Sequence, residues 1–542
     1  MPGRLVPGRF GWRREPFAVG EMFEAISRDA DATCVECCPG VSRLNLSIPD
    51  LKEPREFCLL AAGRFVTVNA TAVTLLSILL LIPCVWHKRI QAGDLGSHMY
   101  NAWLAQGVER YEISGVTVAR QWTNVLFDIL ALHTANTLGF AAAEKIVVSL
   151  CVLLFFWGGF CLLASVSGRP PWSLTPLLFV LSYSYVFHMG FLNYYLSLGL
   201  ACLALGASWR GGTENWLIAA AVGALSFMAH PIGFAFFAGA SLYLGLSRKL
   251  HGRWRLSLIV LGVLVLLYVR WFFTMQAEYD ADWANRRKLC DIFGIDQMEL
   301  FGERYAWLAT AAFAWVLLAA LIFFYDWIIR REQPLPAVQV ALELYLLSLI
   351  AIKCFPENVR FSGYSAWAGL LGSRLTLIAG VLGVLLLAFV RVRRWLIAGS
   401  CAIAATFFVF LYADTGRLDR MEANARELVA KLPEAQRIVA VAKAPAGWRI
   451  PFVYHSIERA CIGHCFNYGN YEPSSLQFRV RAVPGTSFVV SSNFKAQAIV
   501  RGDYVVQKGD LPLVSIYQCD AADWTRLCAA ELKAGSKTGK PD

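Results

Sequence analysis

Residues 143–166 read AEKIVVSLCVLLFFWGGFCLLASV, and this stretch decides the class of fold. After Glu144 and Lys145 no charged residue follows for about six helical turns, long enough at about 1.5 Å per residue to cross the roughly 30 Å hydrocarbon layer of a bilayer. A helix with no polar face belongs in lipid or in a large core. Working outward, similar apolar runs fall at 65–85, 174–190, 191–208, 215–230, 231–247, 256–274, 305–328, 338–355, 366–390 and 395–413, which with 143–166 makes eleven. Tryptophans stand near many of their ends, among them Trp86, Trp172, Trp209, Trp216, Trp254, Trp271, Trp327 and Trp395, as expected of indoles at a bilayer interface. The composition agrees: 57% of the residues are hydrophobic and only 16% charged, with a mean hydropathy of +0.49, whereas soluble domains carry roughly 25% charge.

The chain therefore reads as mainly α, a polytopic membrane protein. Its net charge of +11 is explained by loops rather than by nucleic acid, for which no signature is present. With the N-terminus inside, the short inner loops hold Arg169; Arg210; Arg248, Lys249, Arg253 and Arg255; Arg330 and Arg331; and Arg391, Arg393 and Arg394, the bias that retains Lys and Arg in the cytoplasm. The exception, Arg286, Arg287 and Lys288, lies in a longer loop mixed with acids. The expected organisation is a disordered cytoplasmic tail at 1–63, a membrane domain at 64–413 and an extracytoplasmic domain at 414–542. Localisation to an inner (plasma) membrane follows. Segments 86–142 and 275–304 also face outward. In the tail, Cys34, Cys37 and Cys38 have only Cys58 nearby and lack a second ligand pair at zinc spacing.

Residues 414–542 read as mixed α/β. Helical spacing over 417–432 is followed by strand-like runs at 438–442, 486–492 and 504–507. Cys461 with Cys465 and Cys519 with Cys528 are candidate disulfides in an oxidising compartment, with the connectivity open.

Chemistry is expected first in the long loop after the first span, where residues 91–107 read QAGDLGSHMYNAWLAQG. As a helix from Leu95, this segment places Leu95, Met99, Ala102 and Trp103 on an apolar face suited to the bilayer surface. Asp94, His98, Asn101 and Ala105 share an adjacent stripe, so a carboxylate able to take a proton from a hydroxyl and an imidazole able to orient it or contact a phosphate face one cleft. The plain alternatives are a helix cap for Asp94 and interfacial packing for His98. Arg270, Lys353, Arg360 and Arg374 fall near the outer ends of their spans, where they either form a cationic pocket for a lipid-linked phosphate or snorkel to headgroups. Glu343 lies deeper and calls for a buried cation as partner. Asp280 and Asp282 allow a divalent metal, with hydrated loop acids as the commoner reading. No other cofactor is indicated, and no glycine fingerprint for a nucleotide is present. His188 and His230 read as packing histidines.

Across residues 64–413 the chain resembles the GT-C superfamily of membrane glycosyltransferases. The likeness rests on a first span, an outer loop with an acid soon after the membrane exit (GDLGSHMYNAWLAQG), surface helices near 97–107 and 118–133, and the entry AAAEKIVVSLCVLLFF into the second span; the blocks YVFHMGFLNYYLSLGLA and AHPIGFAFFAGASL also look like segments of such proteins. The resemblance implies a polyprenyl-phosphate-linked sugar as donor, an envelope glycan, lipid or protein as acceptor, and Asp94 as catalytic base, with His98 beside it and Asn101, Arg270, Lys353, Arg360 and Arg374 toward substrate. Many members carry an acidic pair where Asp94 is followed by Leu95, and no WWDYG-like motif is found. The rival expectation is a non-enzymatic polytopic protein: a transporter, or a scaffold that binds a lipid-linked glycan.

Overall fold

The computed structural model describes residues 67–279, 289–329, 336–362, 367–391, 393–450, 455, 457–475, 477–490, 492–520 and 522–539. The N-terminal tail with its cysteines, the acids Asp280 and Asp282, and the basic residues 286–288, 330 and 331 lie outside the described residues. The chain divides into two compact units, Met1–Leu76 and Ser77–Asp542, and the second holds most of the helices and the whole C-terminal region.

The protein is mainly helical. Helix α1 (Ala70–Val85) leads to α2 (Leu95–Glu109), strand β1 (Val116–Val118) and α3 (Leu126–Leu138); α4 (Phe140–Ser167) then runs to the far end of the bundle. The series continues through α5 (Thr175–Ser182), α6 (Tyr185–His188), α7 (Leu192–Arg210), α8 (Thr213–Ala229), α9 (Pro231–Ser247) and α10 (Arg253–Gln276). After β2 (Ala277–Tyr279) come α11 (Glu303–Ile329), α12 (Pro336–Cys354), β3 (Val359–Phe361), α13 (Leu371–Leu387) and α14 (Arg394–Val429). Among the described residues five helices, α4, α10, α11, α12 and α14, are long and apolar enough to cross a membrane; α1, α9 and α13 are shorter apolar helices. A helical membrane protein accounts for these lengths.

The centre of the bundle is α7, buried along nearly all its length. It crosses α4 by backbone contact: a Cβ on Gly158 would stand 2.3 Å from the Gly199 carbonyl oxygen, and one on Gly199 2.8 Å from the Phe155 backbone. The expected span at 174–190 is an interrupted one. Helix α5 covers only about 12 Å and breaks at Tyr183, where the Ser182 carbonyl accepts from the Tyr195 hydroxyl (2.9 Å) and the Tyr183 hydroxyl donates to the Leu80 carbonyl (2.7 Å). Side chains thus satisfy backbone groups at the break, the condition under which a broken helix is tolerated in lipid.

Basic residues gather at the end of the bundle where α4 finishes and α14 starts. Arg169 donates to the Ala388 carbonyl (2.9 Å), Arg248 to that of Ser208 (3.4 Å), and Arg393 pairs with Asp326 (3.9 Å).

At the opposite end lies the C-terminal domain: β4 (Gln436–Val441), α15 (Glu458–Cys461), β5 (Cys465–Asn467), α16 (Tyr471–Ser475), β6 (Val480–Ala482), α17 (Asn493–Arg501), β7 (Leu513–Gln518) and β8 (Leu527–Glu531). Its sheet has the order β5-β4-β7-β8, with β4 parallel to β5 and β7, and β7 antiparallel to β8. The 438–442 run falls in β4, but 504–507 makes only an isolated bridge at Val505 and no strand forms over the described residues of 486–492; β7, buried over its first four residues, takes the central place instead. Disulfides join Cys461 to Cys465 and Cys519 to Cys528.

Helix α14 runs unbroken through 36 residues, about 54 Å, and its last turns bring Met421, Ala425 and Val429 into the outer core. One expectation is overturned: the apolar face of α2 does not lie on the bilayer surface. Tyr100, Ala102, Leu104 and Ala105 share one core with Ile438, Ile457, Cys461 and Ile516 of the C-terminal domain, Trp103 packs against the same core, and Leu95 and Met99 are equally buried. Strand β1 pairs antiparallel with β6. The first loop and the C-terminal domain are therefore one structure at one end of the bundle.

Candidate active site

Asp94 sits where backbone segments converge. Its N–H donates to the Met189 carbonyl (3.0 Å) and that of Gly93 to His188 (2.7 Å). The approach requires glycines: Gly190 has φ +82, and a Cβ there would lie 2.3 Å from the Asp94 nitrogen; one on Gly96 would lie 2.5 Å from the His455 carbonyl oxygen. The glycines of GDLGSH are the room that this packing needs.

Although Asp94 holds the N-cap position of α2, its side chain makes no capping hydrogen bond. Its carboxylate instead lies 3.5 Å from His455 Nε2. The other ring nitrogen of His455 is 2.8 Å from Glu458, a fully buried carboxylate that also accepts from Asn467 (2.8 Å). On the other side, His98 Nδ1 is 2.6 Å from Asp128, which Asn193 holds through a further bond of 2.8 Å. Asp94 thus has two imidazoles as neighbours, each backed by its own carboxylate.

The electrostatics follow from that pairing. Burial pulls His98 down, but Asp128 outweighs it and the imidazole is pushed up to about 9; burial likewise opposes, and Glu458 and Asp94 overcome it, to push His455 up to about 9. Both rings are cations at neutral pH and donate at both nitrogens. Burial raises Asp94 above the ordinary carboxylate range, against the lowering pull of His455, His98 and Arg374. Glu472, bonded to Ser97 (2.7 Å), is pushed up to about 7 by burial against the pull of His98.

Arg374, on α13, is the one expected cation among those acting on Asp94. Its guanidinium lies 4.3 Å over the Phe191 ring, and Nη1 is 3.1 Å from His230 Nε2. His230 Nδ1 already accepts from the Ile232 N–H (3.2 Å). A neutral imidazole accepts at one nitrogen only, so one of these contacts sets donor against donor. Among the described residues Arg374 makes no ion pair within 4 Å, and its Nε is buried without a hydrogen-bond partner. A guanidinium held this way is ready for an anion. His230, expected to be a packing residue, belongs to the site.

The other expected residues are placed elsewhere. Arg360 pairs with Glu278 across the β2–β3 ladder and lies over Trp367. Arg270 donates to the Lys353 carbonyl (3.0 Å), and the Lys353 side chain is exposed. Asn101 donates to Ser97 and accepts from Asn470 (3.0 Å), so it fixes α2 to the C-terminal domain. Glu343 finds its cation in Arg255 (2.9 Å). Among the described residues no group of histidine, cysteine and acidic side chains is arranged to hold a metal ion.

A buried ion network braces the site from behind. Arg459, next to Glu458 on α15, bonds Glu144 (3.0 Å), Glu422 (2.6 Å) and the Ile90 carbonyl (2.7 Å), while Arg89 pairs with Glu422 (3.3 Å). One turn of helix therefore anchors the domain through Arg459 and polarises His455 through Glu458.

An apolar groove of about 410 Å³ opens between α9, α10, α12 and α13, with Ile232, Phe236, Val265, Leu347 and Leu375 in its walls; its lining residues Leu371 and Leu375 flank Arg374 on α13. The chain matches no protein-family model, no characterised protein and no solved structure.

His455, Glu458 and Asp128 carry no pattern that singles them out in the sequence. The available signal was Gly96, a glycine inside a helix whose missing side chain marks a close approach.

Proposed function

We propose that the protein is a GT-C-type membrane glycosyltransferase that moves a sugar from a polyprenyl-phosphate donor to a hydroxyl acceptor at the extracytoplasmic face, with inversion. The observation that carries this reading is the position of Asp94: a carboxylate of raised pKa acted on by two imidazolium groups and by a guanidinium that has no ion-pair partner among the described residues and stands on α13 between lining residues of an apolar groove. In the reaction the acceptor oxygen forms a bond to the anomeric carbon and gives its proton to Asp94. The bond from that carbon to the phosphate oxygen breaks, and its electron pair leaves with the phosphate. Arg374 and His455 stabilise the charge that collects there, and the groove receives the lipid tail. A base of raised pKa suits proton transfer near neutrality better than an ordinary aspartate.

The topology read for this function has eleven crossings. Ten apolar segments, counting α5 and α6 as one interrupted crossing, join the first loop to the C-terminal domain. An even number agrees with the shared core of those two regions at one end. The basic residues at the opposite end make that end cytoplasmic, so Asp94 and the C-terminal domain face outward from a plasma membrane.

The test is the purified protein in lipid nanodiscs with a panel of polyprenyl-phosphate sugars and extracted envelope acceptors. Transfer that is lost in Asp94→Asn supports the reading. Full turnover by that variant rejects Asp94 as base, and donor binding without transfer by the native protein points to a lipid-linked glycan receptor.

A further inference from the structure

The groove beside Arg374 has a polar floor. Along α9 its lining runs from Ile232 to Leu246, about 21 Å at 1.5 Å per residue, roughly two thirds of the hydrocarbon thickness of a bilayer. The walls are apolar and include small residues: a Cβ on Gly239 would meet nothing within 4 Å, and one on Gly262 would meet only the Leu347 side chain. At the inner end Tyr243, itself a lining residue, donates to Glu343 (2.9 Å), which also takes two bonds from Arg255 (2.9 and 3.1 Å). The Glu343 side chain is only 7% exposed. An ion pair buried among apolar helices is a weak source of stability, because desolvation cancels most of the attraction. It is an effective barrier to hydrocarbon, since a chain pushed through it would separate two charges in a medium that cannot solvate them.

We infer that the Tyr243–Glu343–Arg255 cluster is a depth gauge for the donor's tail, ending the bound part of a linear isoprenoid about 21 Å below the level of Ile232. The inference rests on the polyprenyl-phosphate reading of the site. Charge complementarity selects the occupant: Arg374, which contacts His230 two residues before the lining begins at Ile232 and stands between the lining residues Leu371 and Leu375, offers its guanidinium to a phosphate, and the largely apolar walls receive what hangs from it. Lipid tails are as apolar as leucine, so hydrophobicity gives no preference between groove and bilayer. Fit and the phosphate contact position the chain, and the gauge limits how much of it is held. Isoprene units beyond that depth leave sideways into lipid.

The test uses sugar-free polyprenyl phosphates of increasing length, each with a photoactivatable diazirine at the tail end, bound to the full chain in nanodiscs and mapped by mass spectrometry. Short tails are expected to label near Phe236 and Leu375, longer ones near Leu246 and Leu258, and none of any length beyond the Glu343–Arg255 pair. Gly239→Trp, which fills open space, moves the deepest label toward the mouth. The pair Glu343→Leu with Arg255→Leu lets labels pass to the inner end. Label positions independent of tail length, an unaltered pattern in Gly239→Trp, or equal displacement by two-chain phospholipids overturns the inference. The probes carry no sugar, so their labelling does not need the transfer step. A length-dependent pattern without glycosyl transfer therefore leaves the gauge standing and rejects the transferase, and transfer without the pattern does the reverse.

Discussion

His455 Nε2 lies 3.5 Å from Asp94 Oδ1, so the C-terminal domain and the first loop each supply one member of a charged pair at the centre of the candidate site. The relationship separates a proton acceptor from a capping residue. Because Asp94 makes no capping hydrogen bond, Asp94→Asn is expected to leave the melting temperature nearly unchanged while glycosyl transfer falls by roughly 10²–10⁴, the usual contribution of a positioned base. Paired thermal-unfolding and radiolabel-transfer measurements check it. A loss of stability of about 1 kcal/mol with transfer retained would return Asp94 to the role of a cap.

Stability should depend on pH through the two imidazoles. Each has an ordinary value of 6.5 and is raised to about 9 in the folded protein by its carboxylate partner, in spite of burial. A group whose pKa is raised by folding binds its proton more tightly when folded. The contribution is thus complete below pH 6.5 and disappears as pH rises through about 9. Unfolding midpoints should fall across that window, and His455→Gln should flatten the slope by removing one of the two contributions. A native slope unchanged in His455→Gln would show that the pair with Glu458 does not hold the proton.

The network behind the site gives a larger effect. Arg459, Glu144 and Glu422 have side chains 4%, 5% and 2% exposed. Arg459→Met leaves two carboxylates buried without their shared cation, a change that costs about 3–5 kcal/mol when one partner of a buried pair is removed. The expected outcome is a marked loss of stability together with proteolytic sensitivity in the C-terminal domain. Addition of Glu144→Gln should recover part of it by removing a carboxylate that has lost its Arg459 partner, whereas Glu422 still pairs with Arg89.

How much of this was legible beforehand depends on the range of the interaction. The apolar runs are local, and the five long helices lie where hydropathy put them. The apolar face of α2 was also read correctly as a face, but its partner was not, since a stripe of Leu95, Met99 and Trp103 states that something covers it and not whether that is lipid or Ile438 and Cys461. The strands expected at 486–492 and 504–507 do not form over the described residues for a related reason: β-branched composition suits a sheet, yet only registration with a neighbouring strand makes one, and Val505 finds just an isolated bridge with Lys537. Arg360 and Arg374 look alike in sequence near span ends. Only the fold assigns Glu278 to the first and leaves the second without an ion-pair partner among the described residues.

Gly96 tests the approach of the two domains directly. A Cβ there would stand 2.5 Å from the His455 carbonyl oxygen, a backbone atom that moves only with its whole segment. Gly96→Ala is therefore expected to cost about 1–3 kcal/mol through overpacking and to lower transfer by displacing His455 from Asp94. Gly245→Ala is the control, because a Cβ at Gly245 meets nothing within 4 Å and alanine favours a helix by up to about 1 kcal/mol. Equal melting temperatures for the two variants would mean that His455 is not packed against α2.

At Arg374 the donor-against-donor contact with His230 leaves one hydrogen bond unsatisfied until an anion arrives. Arg374→Lys keeps the charge but replaces a planar fork with a point charge, so it should retain weak binding of polyprenyl phosphate and lose most of the geometric selection between phosphate and carboxylate probes. Arg374→Gln should lose binding altogether with little change in stability, since no ion pair is broken among the described residues. His230→Phe separates the two roles, because it removes the ring nitrogen that competes for Arg374 while keeping an aromatic ring beside Tyr194, whose centroid lies 5.4 Å away. If His230 only restrains Arg374, phosphate binding in His230→Phe equals or exceeds that of the native chain. Should binding fall instead as far as in Arg374→Gln, the imidazole itself is a ligand of the phosphate, and the anion site comprises both residues.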